Sequence, residues 1–462
     1  MRLNEIEIKD FRCFEHFKCQ FSSGVNVLIG RNGAGKTTLV HGIHKALSFI
    51  FSNDRSLGKE FLSQGNNTLN VRGFKEEDYR FDFKTREAVK DASIKADASY
   101  GDVDLAWKLY RRNQTNAALY QRYYKEAFAS FMHEWKVNGA PLPLLAYYSD
   151  SYPHINANVV KKVLDKVNNG VLPRNFGYYQ WDDEAACTSI WEIRICNCIN
   201  RVQPFYTLMS RAVSENNEKE IERINSITAA PMAEIEFVES RLKDFVSRLP
   251  GIKDQGKEID YFSSAQTNSG YRMRLHFKDG SDALLENLPA GYRRLYSIVF
   301  DMAYRAYVLN QDVEPEGVVI IDEIDLHLHP ELEKDVMNVL HKTFPKVQFI
   351  VSTHSAMVIS NLEVSNGESR IIRMEENKQP TVVGDVYGLD YNTSVEDIMG
   401  VDARNVEIDN LLNTLAFFEQ GGMAEQSRNV RALLLEKLNG DESHLDKLLA
   451  ERRKDMGNEL RR

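Results

Sequence analysis

The sequence lacks the features of a membrane protein or a flexible tether. Among its 462 residues, no window approaches the roughly 18 apolar residues that a membrane helix needs. The first residues, MRLNEIEIKDF, have no apolar signal core, and no internal repeat or low-complexity tract is present. These absences exclude a membrane-embedded transporter, and we expect a folded, cytoplasmic protein with no membrane partner.

Cysteine is also scarce, and its spacing carries no metal or disulfide signature. The five cysteines are Cys13, Cys19, Cys187, Cys196 and Cys198. Their number is odd and no CxxC pair occurs, which fits a reducing cytosol and excludes a disulfide-stapled fold. Cys196 and Cys198 are two apart on a predicted helix, where such residues face away from each other, so we expect them to pack in a core.

The charge balance gives no general excess of positive residues. The formal net charge is -9 and the pI is about 5.8. This excludes a protein coated in positive charge but leaves open a local basic stripe that binds nucleic acid. With 43% hydrophobic and 27% charged residues, the composition is that of a globular protein. At about 150 residues per domain, the length allows two or three structural units.

Short buried strands alternate with helices in the parts of the chain that carry its motifs. VNVLIG (25–30) is a β-branched run before a helical pattern, and VVIIDE (318–323) and VQFIVSTHS (347–355) repeat this arrangement. Such alternation indicates a parallel α/β core. Segments 69–112, including LNVRG and LAWKLYRR, predict antiparallel strands. We therefore predict an α/β fold, in which a mixed sheet with helices carries an antiparallel β-subdomain.

The middle of the chain has a different, helical pattern. Apolar residues recur at spacings of three and four across 151–254, which predicts amphipathic helices. Pro204 and Pro231 are expected to kink or break them. At 1.5 Å per residue, a 30-residue arm would reach only about 45 Å. Four segments result: 1–150 and 255–395 as the halves of one head, 151–254 as a helical insertion, and 396–462 as a helical tail.

A phosphate-binding loop occupies the turn after the first buried strand. Its residues are Gly30, Arg31, Asn32, Gly33, Ala34, Gly35, Lys36 and Thr37, followed by Thr38. This matches GxxxxGK[ST] fully and stands between a strand and a helix. Glycines let backbone N–H groups point at phosphate oxygens, and the helix N-terminus adds its dipole. Lys36 is expected to reach the β- and γ-phosphates of ATP, and the Thr37 hydroxyl to bind Mg²⁺.

An acidic pair ends the second buried strand. Asp322 follows the run VVII and is expected to hold Mg²⁺. Glu323, one residue further, is expected to orient and deprotonate the attacking water. His354 ends the next strand and can contact the γ-phosphate. A lone histidine is more often structural, so its role depends on that position.

The order GRNGAGKTT, IIDEIDLHLHP, IVSTHS resembles the ABC-type ATPase heads of the RecF, SMC and break-repair group. The resemblance implies that Asp325 is the D-loop residue and His354 the switch histidine. It also implies that Arg12, in DFRCF, approaches the nucleotide phosphates. Gly291 begins the signature helix, which in this group reaches the γ-phosphate on the opposite subunit of a dimer. Pro289 and Ala290 stand where transport ATPases usually carry a serine and a small residue. The serine hydroxyl that usually contacts phosphate is therefore missing.

Two smaller points remain open within this resemblance. Either Ser149 or Asp150 takes the place of the Q-loop glutamine after PLPLLAYY. His327 and His329 permit a metal-site interpretation, but metal-binding pairs on a helix prefer a spacing of four. A D-loop turning into a helix, with Pro330 in the first turn, is the favoured interpretation.

A narrower resemblance comes from PAGYRRL combined with DEIDLHLHP. This pair is similar to the PtuA family, the stand-alone ATPases of Septu and some retron anti-phage systems. The similarity covers 1–150 and 255–395, and more loosely SVEDIMG (394–400). It implies a homo-oligomer that acts with a separate HNH-type nuclease resembling PtuB. The tail from 396 is either a docking element for that partner or an ordinary capping helix.

The chain itself carries no recognisable nuclease motif. Glu407 and Asp409 form an ExD on a predicted helix, which lacks the strand-bound carboxylates of a two-metal nuclease, and we interpret them as a solvated face. Three functions fit the motifs: an ATPase head that controls a nuclease partner, a nucleotide-sensing scaffold with negligible hydrolysis, and a RecF-like repair ATPase acting directly on DNA. A transporter ATPase subunit fits least well, because the helical insertion and the altered signature both argue against it.

Overall fold

The computed structural model describes most of the chain in two compact units. The described residues are 1–52, 69–82, 84–113, 118–150, 167–168, 172–181, 188–250, 252, 256–268, 270–364, 367–384, 386–389, 391, 394–399 and 405–459. The units are Met1–Leu389 and Asp390–Arg462. Cys187 and much of 151–187 lie outside the described residues.

Fifteen strands occur in the described part of the first unit. In chain order they are β1 (Arg2–Phe11), β2 (Phe14–Gln20), β3 (Val25–Ile29), β4 (Phe81–Asp82), β5 (Glu87–Ala88), β6 (Asp91–Tyr100), β7 (Val103–Arg112), β8 (Leu144–Tyr148), β9 (Ile259–Thr267), β10 (Gly270–Phe277), β11 (Asp282–Leu284), β12 (Glu316–Ile321), β13 (Lys346–Ser352), β14 (Arg370–Arg373) and β15 (Thr381–Val383).

The α-helices connect and cover these strands. They are α1 (Lys36–Leu47), α2 (Lys125–Lys136), α3 (Thr188–Ser214), α4 (Glu218–Arg248), α5 (Ala290–Asn310), α6 (Pro330–Glu333), α7 (Val336–Thr343), α8 (Ala356–Ser360), α9 (Val406–Gln420), α10 (Ala424–Lys437) and α11 (Glu442–Glu459). None of the described helices is long and apolar enough to cross a membrane.

The central sheet has six strands in the order β15-β14-β3-β13-β12-β8. All neighbours are parallel except β14 and β15. Every residue of β3 and β8 is buried, as expected for strands covered on both faces. Because β3, β13 and β12 are adjacent and parallel, their carboxyl ends meet at one edge. The predicted α/β core is confirmed.

A second sheet is antiparallel, with the order β2-β1-β6-β7. Its strand β7 packs on the end of α1: the Trp107 indole N–H donates to the Ala46 carbonyl at 2.9 Å, and Phe49 stacks on Trp107 at 4.0 Å. The antiparallel subdomain is therefore as predicted, but the strand expected at LNVRG (69–73) is wrong. That segment is irregular, and its backbone at Arg72 bonds the Ser48 hydroxyl instead of a neighbouring strand.

The helical insertion contains two long helices, α3 and α4, that pack against each other. Of the kink or break expected at the prolines, the break is wrong, because Pro204 and Pro231 both lie inside continuous helices. A proline removes one N–H donor, and the packing along two long helices outweighs that loss. Arg194 on α3 donates two hydrogen bonds to Glu234 on α4, at 2.7 and 2.8 Å, which fixes their register.

The second unit is a small helical assembly of α9, α10 and α11. Its apolar core consists of four fully buried leucines: Leu412, Leu415, Leu434 and Leu445. Glu407 is exposed and pairs with Lys437 at 2.6 Å. The carboxylate thus takes part in a surface ion pair, in agreement with the interpretation of Glu407 as part of a solvated face.

Candidate functional site

Three loops converge where the parallel strands β3, β13 and β12 end. The loop 30–35 follows β3 and leads into α1, Asp322 follows β12, and His354 follows β13. In a parallel sheet these carboxyl ends lie side by side, which is where such folds bind ligands. The topology therefore brings the three predicted motifs to one edge of the sheet.

The phosphate loop depends on glycines at two positions. Gly35 has a φ of 93°, and a Cβ there would lie 2.6 Å from the Phe14 ring. At Gly30, with a φ of 152°, a Cβ would lie 2.3 Å from the Met374 carbonyl oxygen. Only glycine combines such backbone angles with so close an approach. The loop is thereby held open, with Arg31, Asn32 and Gly33 exposed and Ala34 buried.

Lys36 lies buried at the centre of the edge. Its ammonium donates to the carbonyls of Gly30 at 2.7 Å and Arg31 at 3.3 Å. Burial lowers the pKa of Lys36, and the nearby carboxylates of Asp322, Glu323 and Asp325 oppose this effect. The ammonium group of Lys36 therefore interacts electrostatically with the carboxylates that follow β12.

Asp322 and Thr37 supply the oxygen ligands that Mg²⁺ prefers. Thr37 is exposed on the first turn of α1, and its neighbour Thr38 accepts a weak hydrogen bond from the Cys13 thiol at 3.5 Å. His41, one turn beyond Thr37, has a pKa that burial lowers and that Asp322 raises in part. Asp322 thus lies near the helix that carries Thr37, and the two side chains offer oxygen atoms of the kind that bind Mg²⁺.

The Glu323 backbone is held in an unusual conformation. Its φ is 51°, which is uncommon for a residue other than glycine. The Glu323 N–H donates to the Ser352 hydroxyl at 2.8 Å, and that hydroxyl donates to Asp322 Oδ1. Asp322 N–H in turn donates to the Tyr148 carbonyl at 2.8 Å. These bonds fix the backbone at Asp322 and Glu323, and one of them holds the Asp322 carboxylate.

Arg294 is a site residue to which the sequence assigned no role. It is 1% exposed, and its guanidinium donates to the carbonyls of Asp150 and Asp322, each at 2.8 Å. Longer bonds of 3.3 and 3.1 Å reach the carbonyls of Ser149 and Glu323. One side chain from α5 therefore fastens the end of β8 to the acidic strand end. It also shows that Ser149 and Asp150, the two Q-loop alternatives, both lie beside Asp322.

Asp325 connects the acidic loop to the end of β13. Its Oδ1 accepts hydrogen bonds from the Thr353 hydroxyl at 2.5 Å and from the His354 N–H at 3.3 Å. The His354 side chain is exposed at the edge. Asp325 thus positions the histidine through its backbone, a contact that the sequence did not reveal.

Gly291 and Arg12 make the contacts described here with residues outside the phosphate loop. A Cβ at Gly291 would lie 2.6 Å from the His327 carbonyl, so the signature helix begins against the D-loop of its own chain. Arg12 donates to the buried Asp78 carboxylate at 2.9 Å and stacks over Phe11. The roles of Gly291 and Arg12 toward a nucleotide stay predictions.

The two D-loop histidines fit the helix-start interpretation. Pro330 is the first residue of α6, and His329 caps it by accepting from the Glu331 N–H at 3.3 Å. His327 has a φ of 65° in the preceding turn. Within the described part of the chain, no group of three or more His, Cys, Asp or Glu side chains forms a metal-binding cluster.

A phosphate loop after β3 and an acidic pair after β12, a parallel strand two places away in the same sheet, define a P-loop nucleotide-binding head of the ABC type. Residues 2–379 match the model of the RecF/RecN/SMC N terminal domain, and the chain belongs to this family. The resemblance to the RecF and SMC group is confirmed.

Comparison with curated proteins shows which members of this group the chain resembles. The retron Vc95 probable ATPase of Vibrio cholerae is 25% identical over 407 residues, covering 78% of this chain and 72% of the relative. The retron Ec83 probable ATPase of Escherichia coli is 22% identical, with coverages of 79% and 71%. The Septu protein PtuA of Bacillus mycoides is 28% identical over 186 residues, covering 40% of this chain and 22% of PtuA. The chain is therefore similar to two retron probable ATPases and, over a shorter stretch, to a Septu protein.

Proposed function

We propose that the chain binds ATP with Mg²⁺ and hydrolyses it. The supporting observation is the placement of Lys36 beside the carboxylates of Asp322 and Glu323, at the edge where β3 and β12 end. In this proposal Lys36 neutralises phosphate charge, and Thr37 and Asp322 hold the magnesium ion. Glu323 activates the attacking water, and His354 contacts the γ-phosphate.

The proposed head acts as a homodimer or a higher oligomer. Gly291 and the start of α5 would contact the γ-phosphate held by another copy, which completes the site in trans. The first turn of α5 suits this role because a helix N-terminus attracts phosphate. Because 289–290 carry no serine, this contact would form without the usual serine hydroxyl.

The biological role that we propose is control of a separate HNH-type nuclease in cytoplasmic anti-phage defence. Similarity to the retron probable ATPases and to PtuA supports it. The helical tail 396–462 is the candidate docking element for the nuclease. Co-expression with the neighbouring open reading frame, followed by mass determination with and without ATP, tests this role. Recovery of a stable complex with a small HNH protein is expected, whereas a lone homodimer that binds DNA with steep salt dependence would favour the repair function.

A second candidate is a nucleotide-sensing scaffold with negligible hydrolysis. Pro289 and Ala290 favour it, because no hydroxyl stands where a phosphate contact is usual. Measurement of ATP binding and phosphate release on the same preparation distinguishes the scaffold from the ATPase. ATP-dependent oligomerisation without phosphate release supports the scaffold, and Mg²⁺-dependent release supports the ATPase. In both cases Lys36→Ala should abolish ATP binding, whereas Lys346→Ala, at the opposite end of the sheet, should not.

A further inference from the structure

The residues on either side of His354 are both hydrogen-bonded to acidic side chains. On one side, the Thr353 hydroxyl donates to Asp325 Oδ1 at 2.5 Å. On the other side, the Ser355 hydroxyl donates to Glu333 Oε2. The sequence motifs and the nucleotide-binding edge account for Asp325, but they assign no role to Glu333. The second of the two acids therefore has a contact to the histidine segment that no function yet explains.

Ser355 is the residue that begins α8, and its hydroxyl caps that helix. The hydroxyl oxygen accepts from the N–H groups of Met357 at 3.1 Å and Val358 at 3.3 Å. The Ser355 N–H donates to the Thr353 hydroxyl at 3.0 Å. A serine hydroxyl has one hydrogen, and here Glu333 accepts it. The carboxylate thus fixes the rotation of a hydroxyl whose oxygen holds the first turn of α8.

Glu333 is itself held in place by the fold. It is the last residue of α6, is half-buried, and its N–H donates to the His329 carbonyl at 3.1 Å. Burial raises the pKa of Glu333, the hydrogen bond from Ser355 opposes this, and the charge of Asp325 adds to the increase. The two acids are therefore close enough to interact, as expected if they hold opposite ends of one short segment.

The far end of α8 is anchored as well. The Asn338 side chain on α7 donates to the Asn361 carbonyl at 2.7 Å and accepts from the Glu363 N–H at 3.3 Å. The short helix is thus bonded to α6 at its start and to α7 just past its end. With Thr353 held on the other side, the backbone at His354 has little freedom. The direction of its exposed imidazole therefore depends on these flanking bonds.

We propose that Glu333 is a positioning residue for His354 and that it acts through the hydrogen bond from Ser355. The inference rests on the proposed function, in which His354 contacts the γ-phosphate. Glu333 does not touch the nucleotide. It holds Ser355 while Asp325 holds Thr353, so the imidazole is aimed at the nucleotide-binding edge from both sides. A hydrogen bond to a charged acceptor is stronger than one to a neutral acceptor, which suits a carboxylate to this role.

The test compares three variants of the full chain with the parent: Glu333→Ala, Glu333→Gln and, as the matched control on the same helix, Glu331→Ala. The readouts are kcat, the Kd for ATP, and the His354 ring signal in an NMR spectrum of nucleotide-free chain with isotope-labelled histidine. The signal is assigned by its loss in His354→Ala. Glu333→Ala should move this signal and lower kcat at least roughly tenfold, with the Kd for ATP changed by less than about twofold.

The other two variants should behave like the parent chain. Glu333→Gln should recover most of the rate and the parent signal, because its amide oxygen still accepts from Ser355. Glu331→Ala should leave both unchanged, because the Glu331 side chain is exposed and its bond to His329 comes from the backbone N–H. Thermal unfolding of each variant confirms that it is folded.

Three results would overturn the proposal: a His354 signal that Glu333→Ala leaves in place, equal losses in kcat and ATP affinity, or a Glu333→Gln variant as impaired as Glu333→Ala. Failure of the proposed function is a separate result. A parent chain that binds ATP but releases no phosphate contradicts hydrolysis, and the NMR signal then decides the positioning role by itself. A signal that moves in Glu333→Ala and not in Glu331→Ala supports that role.

Discussion

Arg294 links three segments of chain that are far apart in sequence. Its donors reach the carbonyls at 149–150 and 322–323 from the second turn of α5, and the side chain is almost fully buried. Glu323 has the left-handed backbone conformation that these bonds help to hold. Strain of this kind persists only where its surroundings enforce it. Arg294 is therefore a positioning residue: it acts on the Glu323 carboxylate indirectly, through hydrogen bonds to the backbone.

Replacement of Arg294 by lysine tests that role. A lysine keeps the charge but cannot spread several donors across four carbonyls. We expect kcat for ATP hydrolysis to fall at least roughly tenfold, equivalent to about 1.4 kcal/mol, while the Kd for ATP changes little. Arg293→Lys is the matched control, since Arg293 donates to the Glu286 carbonyl outside this cluster. Equal losses in kcat and in ATP affinity would show that Arg294 only maintains the fold.

The sequence predicted the phosphate loop, Asp322 and Glu323 because each belongs to a contiguous pattern with a fixed spacing. It assigned no role to Arg294 or to Ser352, although both stand in quoted motifs. Their partners come from other strands, so only the three-dimensional arrangement reveals them. The polar pair Ser352-Thr353, directly after the apolar run 349–351, was a sequence signal for Ser352.

A buried network joins the insertion to the head at the level of whole elements. Asp301 on α5 accepts from the Trp191 indole of α3 at 2.6 Å, from the Tyr148 hydroxyl of β8 at 2.7 Å and from Arg305 at 2.6 Å. Trp191 also stacks on Tyr304 at 5.0 Å. The insertion is thus bonded to the helix that carries Arg294. Helical periodicity predicted α3 and α4 but not this attachment, because a buried aspartate has no periodic signature.

Asp301→Asn should destabilise the protein strongly. The substitution keeps the shape but removes the carboxylate of a buried ion pair with Arg305, and breaking a buried pair costs about 3–5 kcal/mol. Asp244→Asn is a matched control, because Asp244 and Arg248 form the same i,i+4 pair at 2.9 Å on the surface. Loss of such an exposed pair costs at most about 1 kcal/mol. Chemical unfolding of both variants gives the comparison, and equal losses would contradict the proposed importance of the network.

At the scale of the whole molecule, one buried acid makes stability depend on pH. Burial raises the pKa of Glu192 on α3 from 4.5 to about 7, with a further increase from Glu286 and opposition from Arg272 and the Met273 N–H. Between these two values the folded chain binds more protons than the unfolded chain. Stability from this group is therefore present at low pH and is lost as the pH rises through 7.

Glu192→Gln removes that dependence. The variant should be more stable than the parent chain at pH 8, by up to roughly 3 kcal/mol, because a glutamine never takes on the buried charge. The difference should shrink toward pH 5, where the parent carboxyl is protonated in the fold. Thermal unfolding across this pH range measures it, with Glu222→Gln on the exposed face of α4 as the control. If the stability difference between Glu192→Gln and the parent chain is the same at pH 5 and pH 8, the raised pKa of Glu192 is contradicted.

The proposed function depends on activation of the attacking water by Glu323 at the edge of the central sheet. The most direct measurement is steady-state phosphate release, with ATP binding measured on the same samples of the parent chain and of Glu323→Gln. The amide keeps the size of the side chain and removes the base. We predict Mg²⁺-dependent release from the parent chain, and a variant that binds ATP but releases phosphate at least roughly a hundredfold more slowly. Full steady-state hydrolysis by Glu323→Gln would contradict the proposed role of Glu323.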